Sequence, residues 1–550
     1  MCIRDRNVRG SLIDSESNQP IQDATVGIES TNVSVITDVD GKFEILDAPR
    51  GEQSLLISAI GYETYIQTIQ IPQNGMVLQP ILLVQKENQI DQEVNDIPIV
   101  SISVEDIEND NDQAISGLLS ASRDAFLNAA AFTFGPARFR IRGYDSENTE
   151  VLVNGITFNS LENGRPFWGA WGGLNDVLRN RETDLGASSS SFAFGGVGGV
   201  NHIDVRASKQ RDQLRGSFSL SNRTYRNRLM LTYSTGKRAD GWAFSFSGSR
   251  RWAEEGFVEG TSYDAWSYFV GVEKELNSAH SLGLTVFGAP SKRGRRTAAV
   301  QEMNDLADNN WYNPYWGFQG GEKRNSRISN THLPTAIARH DWTITDHSKL
   351  TTAASFQTGR SGSTALDWND LNDPRPDYYR DLPSFQTDPI SAAFVQEQFE
   401  SSIEFRQIKW DQLYLVNYFS DQTIENADGI EGNSVNGKRS QVIVEDRRYD
   451  PTRIGFSTTY QDFINDQLTF TGGIQYRSEK QETYKLVDDL LGGEFYVDID
   501  KFASTDFGSG SDQTQNDLNN PNRILYEGDR FGYDYDAQIN KGSLWAQGEY

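Results

Sequence analysis

The sequence predicts a mainly β chain: an N-terminal β-sandwich, then an α+β domain, then the first part of a large antiparallel transmembrane β-barrel. Three observations lead there. Residues 8–85 are short alternating strands separated by turn residues. Residues 138–206 hold a strand–turn–strand sequence and a glycine-rich bend that runs into a further strand. From Leu214 the alternation inverts, with bulky apolar residues on one strand face and small polar ones on the other, and short and long connections take turns.

Composition sets the outer bounds. A chain of 550 residues has room for about two to four domains. The formal net charge of −26 and a pI of about 4.7 argue against a nucleic-acid partner, which needs a basic face to displace counterions from phosphate. Acidity on this scale reports mainly a solvated surface. Cys2 is the single cysteine, so no internal disulfide can form. The histidines (His202, His280, His332, His340, His347) show no metal-ligand spacing, so neither a metal nor another cofactor is expected. Mean hydropathy is −0.58 and no apolar run approaches the roughly 18 residues of a spanning helix. Barrel strands escape that test, because each is about ten residues long and only half apolar. The opening MCIRDRNVRG carries no apolar stretch of a signal peptide, and the closing GSLWAQGEY stops within a strand pattern. The expectation is a fragment, with its signal peptide and the rest of its barrel outside the sequence.

In residues 8–85, Val26 and Ile28 point one way, as do Phe43 and Ile45, and Leu55 and Ile57. Asp40-Gly41 is expected to form a tight hairpin, and Gly61-Tyr62 to start the last strands. Asp38 and Asp40 lack the further ligands and closing Glu of a calcium loop, so they read as a turn. The segments NQPIQDATV, TDVDGKF and IGYET resemble the pattern of the carboxypeptidase-regulatory-like domain, a β-sandwich without catalytic residues.

Residues 86–106 read as a polar linker that ends in an extended apolar segment: Ile97, Pro98, Ile99, Val100 and Ile102. Such a segment suits strand addition to a partner sheet, though it also reads as the first strand of the next domain. Within residues 107–212, Ile115, Leu118, Leu119 and Phe126 recur at helix spacing. RFRIRGYDSENTEVLVNG follows as two strands, and Asn154-Gly155 is a turn that requires positive φ. Gly195, Gly196, Gly198 and Gly199 lead into a strand and not a helix, with no Lys-Ser/Thr behind them, so a nucleotide loop fails on context.

These four features resemble the plug domain of TonB-dependent outer-membrane receptors, of the Bacteroidetes type that carries the N-terminal extension. The resemblance implies that Ile97, Pro98, Ile99 and Val100 form the TonB box, which pairs with a TonB-type energy transducer of the inner membrane. It places Arg142-Gly143 at the plug sheet, with Arg140 and Arg142 toward acidic residues of the barrel wall; plain solvation of those arginines is the alternative. Trp168 and Trp171 sit among glycines and either stack on a ligand or pack the plug against the wall. The starch-receptor subfamily usually reads LQG-x-x-AGV, where this chain has Ile115-Ser116-Gly117-Leu118-Leu119. The resemblance therefore leaves a surface lipoprotein partner open.

Residues 213–550 read as part of the barrel. Trp242, Phe244 and Phe246 alternate with Ala243, Ser245 and Ser247; Phe218-Leu220, Leu229-Leu231-Tyr233, Leu282-Leu284-Val286 and Phe470-Ile474-Tyr476 behave alike. Short turns fall at 237–240, 277–279, 346–348 and 465–466, and long polar loops at 289–334, 359–440 and 480–542. That gives about ten strands, against about 22 in the receptors. The loops present Trp311, Tyr312, Tyr315, Trp316, Tyr378 and Tyr379 for capture of a small molecule, oligosaccharide or peptide, or for packing among themselves. The implied function is TonB-dependent import across the outer membrane, with outer-membrane lipid around the barrel, the N-terminal domain in the periplasm and no catalytic residue. A passive or secretory plugged pore, a non-transporting surface receptor and a soluble carboxypeptidase accessory are the alternatives.

Overall fold

The computed structural model describes residues 7–83 and 146–550, apart from 16–18, 23, 29–33, 47, 60–61, 63–64, 73–74, 185–189, 223, 370, 466 and 509–510. The chain divides into two compact units, Met1–Ile97 and Pro98–Tyr550. The expected coupling segment Ile97–Val100, the helix over 112–127 and Arg140, Arg142 and Gly143 lie outside the described residues.

The first unit is a sandwich of two four-stranded sheets. One joins β1 (Val8–Asp14) to β4 (Lys42–Ile45) on one side and to β7 (Met76–Val77) and β8 (Ile81–Leu83) on the other. The second runs β3 (Ser34–Ile36), β2 (Thr25–Ile28), β5 (Gly51–Ser58), β6 (Tyr65–Ile71). Val26, Ile28, Leu55 and Ile57 from one sheet meet Val8, Leu12, Phe43 and Ile45 from the other in one buried cluster. The alternation read from the sequence thus marks the core face of each strand. The turn before β4 forms, with Gly41 at φ +70° and the Asp38 carboxylate accepting from the backbone N–H of Asp40 and Lys42 at 3.0 and 2.8 Å. It is not a hairpin, however: β3 pairs with β2 and β4 with β1, so the turn carries the chain from one sheet to the other. Local turn chemistry is the same in both cases, and only the partners differ.

The second unit contains a small sheet and a large one. The small sheet has the order β10 (Ile156–Thr157), β9 (Glu150–Val153), β12 (Val200–Ile203), β11 (Arg181–Asp184), with β9 and β12 parallel. Asn154 and Gly155 link β9 to β10 at φ +50° and +88°, the left-handed pair that a two-residue turn needs.

The large sheet is an antiparallel meander. Its strands are β13 (Gln213–Leu220), β14 (Asn227–Lys237), β15 (Trp242–Ala253), β16 (Ser262–Glu275), β17 (His280–Gly288) and β18 (Ser291–Gly294). After the hairpin β19 (Trp316–Gln319) and β20 (Glu322–Asn325) come β21 (Ile328–His332), β22 (Thr335–Thr345), β23 (Ser348–Thr358) and β24 (Arg360–Trp368). After a second hairpin, β25 (Asp421–Glu425) and β26 (Ser434–Lys438), come β27 (Val442–Asn465) and β28 (Leu468–Asp489). A last loop holds the short pair β29 (Tyr496–Val497) and β30 (Ile524–Leu525) before β31 (Arg530–Glu549).

The sheet counts 13 strands, but three pairs are single strands interrupted at one level. The interruptions are Ala289-Pro290 between β17 and β18, Leu333-Pro334 between β21 and β22, and Gly359 between β23 and β24. Pro cannot donate to a ladder, which accounts for the breaks at Pro290 and Pro334. Joined across these breaks, the meander has ten strands, the number the alternation suggests. The long loops are correspondingly shorter than the sequence indicates, because β18, β21, β24, the end of β28 and the start of β31 lie inside the stretches expected as loops.

The large sheet's polarity is opposite to that of the sandwich. Phe218, Leu231 and Ile474 are 60, 59 and 52% exposed on its outer face, while Ser234 and Ser245 are fully buried on the inner one. Inward hydroxyls bond across strands: Ser234 to Ser245 at 2.7 Å, Thr232 to Ser247 at 2.8 Å, Ser249 to Ser267 at 2.6 Å. Trp242, Trp342 and Phe463 stand exposed beside the short turns. Among the described residues no helix is long and apolar enough to cross a membrane, which says nothing of strands.

Candidate functional site

Two places could do work: the seam between the small domain and the inner face of the large sheet, and a cavity among the long loops.

At the seam an apolar patch forms first. Trp168, Trp171, Leu174, Val177 and Ile203 of the small domain cluster with Phe269, Phe287 and Ile337 of the sheet. Trp168 and Trp171 meet edge to face at 5.6 Å, and Trp171 packs on Phe158 at 5.3 Å. Both indoles are buried, so their place in the structure is packing. Around the patch lies a polar ring. Glu479 accepts from Ser160 Oγ at 3.0 Å and from Leu161 N–H at 2.6 Å, and pairs with Arg453 at 2.7 Å. Asp176 is fully buried and lies near Arg179 of its own domain, Arg215 of the sheet at 3.6 Å and the Thr232 hydroxyl at 3.2 Å. Arg206 bridges Asp204 to Asp341 of the sheet at 3.2 Å. Burial pushes Asp204 upward, but Arg206 overrides it and holds the carboxyl below the usual carboxylate range. Burial pushes the His202 imidazole down to about 3, and Phe192 stacks on it at 3.6 Å.

Asn154 closes this seam: its Oδ1 accepts from Val205 N–H at 2.9 Å and its Nδ2 donates to Thr285 at 3.2 Å. The Gly155 carbonyl accepts from the Ser457 hydroxyl at 2.8 Å. The glycine-rich bend packs on the start of β9. A Cβ at Gly196 would stand 2.6 Å from the Asn148 carbonyl, and one at Gly198 2.5 Å from Thr149 Oγ1. Gly195 and Gly199 take positive φ. At Gly196 and Gly198 the missing side chain permits close approach to the backbone of Asn148. Asp176, Arg206 and Glu479 were not visible as site residues in the sequence. A lone Asp in NDVL or a lone Glu in a strand carries no local signal, and only the docking of two sheets makes it one.

Among the long loops, the aromatic residues divide. Tyr312 is buried and donates to the Arg406 carbonyl; Trp316 is buried against Phe318, with Lys323 over its ring at 4.8 Å. These two belong to the loops' own core. Trp311 is partly exposed with Arg296 over its ring at 5.2 Å, and Tyr379 is exposed between Tyr378 and Phe385. Tyr315 and Tyr378 line a cavity of about 850 Å³ together with Trp368, Phe502 and several cationic side chains. The long loops carry four short helices, α1 (Gln301–Leu306), α2 (Pro389–Ser401), α3 (Trp410–Tyr418) and α4 (Lys501–Phe507), and part of the cavity wall comes from β24, β27 and α4. Two caps build the loop scaffold: Asp388 accepts from Ser391 N–H at the start of α2, and Asp500 accepts from Phe502 and Ala503 N–H at the start of α4. Asn417 at the end of α3 is fully buried, and the two N–H groups of its Nδ2 are shared among the carbonyls of Val442, Leu490 and Leu491. Among the described residues no group of three or more His, Cys, Asp or Glu side chains could hold a metal ion.

Residues 8–95 match the family model described as CarboxypepD_reg-like domain. No match was found among curated proteins. The solved structures that resemble the chain include the siderophore receptor PiuA from Acinetobacter baumannii, at 13% identity and a TM-score of 0.40 over 74% of this chain and 48% of that one. They also include the P. aeruginosa receptor FpvA bound to a pyoverdine–iron complex, at 10% identity and a TM-score of 0.40 over 74% and 44%. A type II cohesin–X-dockerin complex from Acetivibrio cellulolyticus matches at 27% identity and a TM-score of 0.13 over 14% of this chain and 56% of that one. The chain spans about half the length of the two receptors.

Proposed function

We propose that this chain is part of a TonB-dependent outer-membrane receptor that imports a scarce or large solute. The observation that carries the proposal is the inverted polarity of the large sheet combined with what lies on its inner face. An apolar outer band beside aromatic rings suits hydrocarbon, and a hydroxyl-lined inner face suits a polar lumen. The small domain lies against that inner face through an apolar patch around Trp171 ringed by hydrogen bonds and charge pairs, and the polar ring supplies partners that water can replace when the domain moves. In this reading, solute enters at the long loops and occupancy changes the small domain. The segment Ile97–Val100 then becomes available to a partner strand in the periplasm, and pulling on it opens the lumen.

The test is solute depletion by cells carrying the full-length gene, compared with a deletion strain and a strain lacking Ile97–Val100. A mixed medium is followed by mass spectrometry, and the protein is first located by membrane fractionation. The expected result is outer-membrane protein and one compound depleted only by cells with the intact segment. Equal depletion by both gene-bearing strains would make the chain a passive pore. Recovery in the soluble fraction would end the barrel reading altogether.

A further inference from the structure

We infer that the cavity beneath the long loops takes a free, multiply anionic solute, one that presents several carboxylate, sulfate or phosphate oxygens. The inference rests on the import reading only for which side of the membrane the cavity faces.

The first observation is charge. The chain as a whole has 51 Lys and Arg against 77 Asp and Glu, yet five cationic side chains line the cavity (Arg327, Arg375, Arg380, Arg447, Lys501) against three acids. The second is where the compensating acids stand. Glu445 pairs with Arg447 at 2.6 Å and Asp367 with Lys501 at 2.8 Å, and neither acid lines the cavity. Those two cations are neutralised from the wall side while facing the space. Of the three acids that do line it, Asp373 is engaged by Arg375 through Nε at 2.9 Å. Burial raises the carboxyls of Asp377 and Asp381, which disfavours their ionised form.

The third observation is how the cationic heads are held. Lys501 Nζ lies 3.6 Å from the centre of the Trp368 ring, the Arg375 guanidinium 5.6 Å from the same ring, and the Arg327 guanidinium 5.4 Å from Tyr315. Cation–π contacts of this kind fix the heads before a ligand arrives and so lower the entropy cost of binding. The fourth is a donor without an acceptor. Asn369 is 1% exposed and lines the cavity, and its Nδ2 has no hydrogen-bond partner among the described residues. A buried amide left unpaired costs about 1–3 kcal/mol, and a ligand oxygen would relieve it. A cavity of about 850 Å³ lies within the usual range of small-solute sites and holds a solute well beyond a single ion.

The test is calorimetric titration of the purified full-length protein in detergent with three size-matched probes: trigalacturonate, maltotriose and trilysine, with citrate as a fourth. Trigalacturonate or citrate is expected to bind, and to bind about tenfold more weakly in each of Lys501→Gln, Arg327→Gln and Asn369→Asp, the loss of one charge-assisted bond. Raising salt on the unaltered protein should weaken the same probes, which keeps the test valid if a variant fails to fold. Binding of maltotriose or trilysine as tightly as the anions overturns the inference. So does the absence of anion binding, or anion affinity indifferent to all three substitutions and to salt. Loss of uptake with anion binding intact counts against the import reading alone. Uptake with an intact coupling segment but no anion binding counts against this inference alone.

Discussion

The sandwich and the large sheet use the same period-two alternation with opposite polarity. In the sandwich Leu12, Val26 and Ile57 are fully buried, and Lys42 and Glu44 on the opposite face of β4 point out. In the large sheet Leu229, Leu231 and Leu284 face out and Ser234, Ser245 and Thr232 are buried. Alternation reports that a segment is a strand, because successive side chains leave opposite faces. The sign of the alternation reports the solvent on each side. The two units therefore carry opposite polarity: an apolar core beneath a polar surface in the first, and a polar inner face beneath an apolar outer band in the second.

That contrast can be broken most severely where the polar interior meets the small domain. Glu479→Ala leaves Arg453 and the Ser160 and Leu161 donors without their acceptor, and removing one partner of a buried pair costs about 3–5 kcal/mol. The expected outcome is faster hydrogen exchange over residues 150–205 with the large sheet still protected. Unchanged exchange there would mean that the apolar patch around Trp171 holds the small domain by itself.

A paired substitution sharpens the polarity difference. Leu12→Ala should destabilise the sandwich by about 2–5 kcal/mol in urea melts, as for other buried leucines. Leu231→Arg on the exposed band should cost about 2–4 kcal/mol in lipid vesicles if it lies near the bilayer midplane. A neutral Leu231→Arg in vesicles would show that this band does not face hydrocarbon.

The smallest expected effect, about 2 kcal/mol between pH 7 and pH 5, is pH-dependent. Burial holds His202 at about 3, below the 6.5 of an exposed imidazole, so the docked state binds fewer protons than the released one. Its contribution is complete above about pH 6.5 and is lost as pH falls from there toward 3, by about 1.4 kcal/mol per pH unit. Hydrogen exchange of β12 at pH 7, 6 and 5 should show this loosening, and His202→Phe, which keeps a ring against Phe192, should abolish the slope. A slope that persists in the variant would place the titration elsewhere.

Much of the architecture was legible in particular residues. Asn154-Gly155 announced a positive-φ turn and forms one. The facing alternation of Val26 with Ile28 and of Leu55 with Ile57 marked one sheet's core face. Strands β18, β21 and β24 were not legible, because polar residues on both faces erase the period and Pro290, Pro334 and Gly359 read as loop punctuation. The loop aromatics were legible as a group but not individually. Nothing in WYNPYWGF separates the buried Tyr312 and Trp316 from Tyr315, which lines the cavity.

By itself the sequence determined the strands that carry apolar alternation, which face of each is apolar, and where Asn154-Gly155 and Asp40-Gly41 turn the chain, since these depend on local sterics and period. Tertiary structure alone decided which strands pair across the Asp40-Gly41 turn. It also brought Glu479 to Ser160 and Arg206 to Asp341, and set five cations around one cavity in an acidic chain. Those outcomes depend on contacts between residues far apart in the chain, and a charge or ring gains its meaning only from what is packed against it.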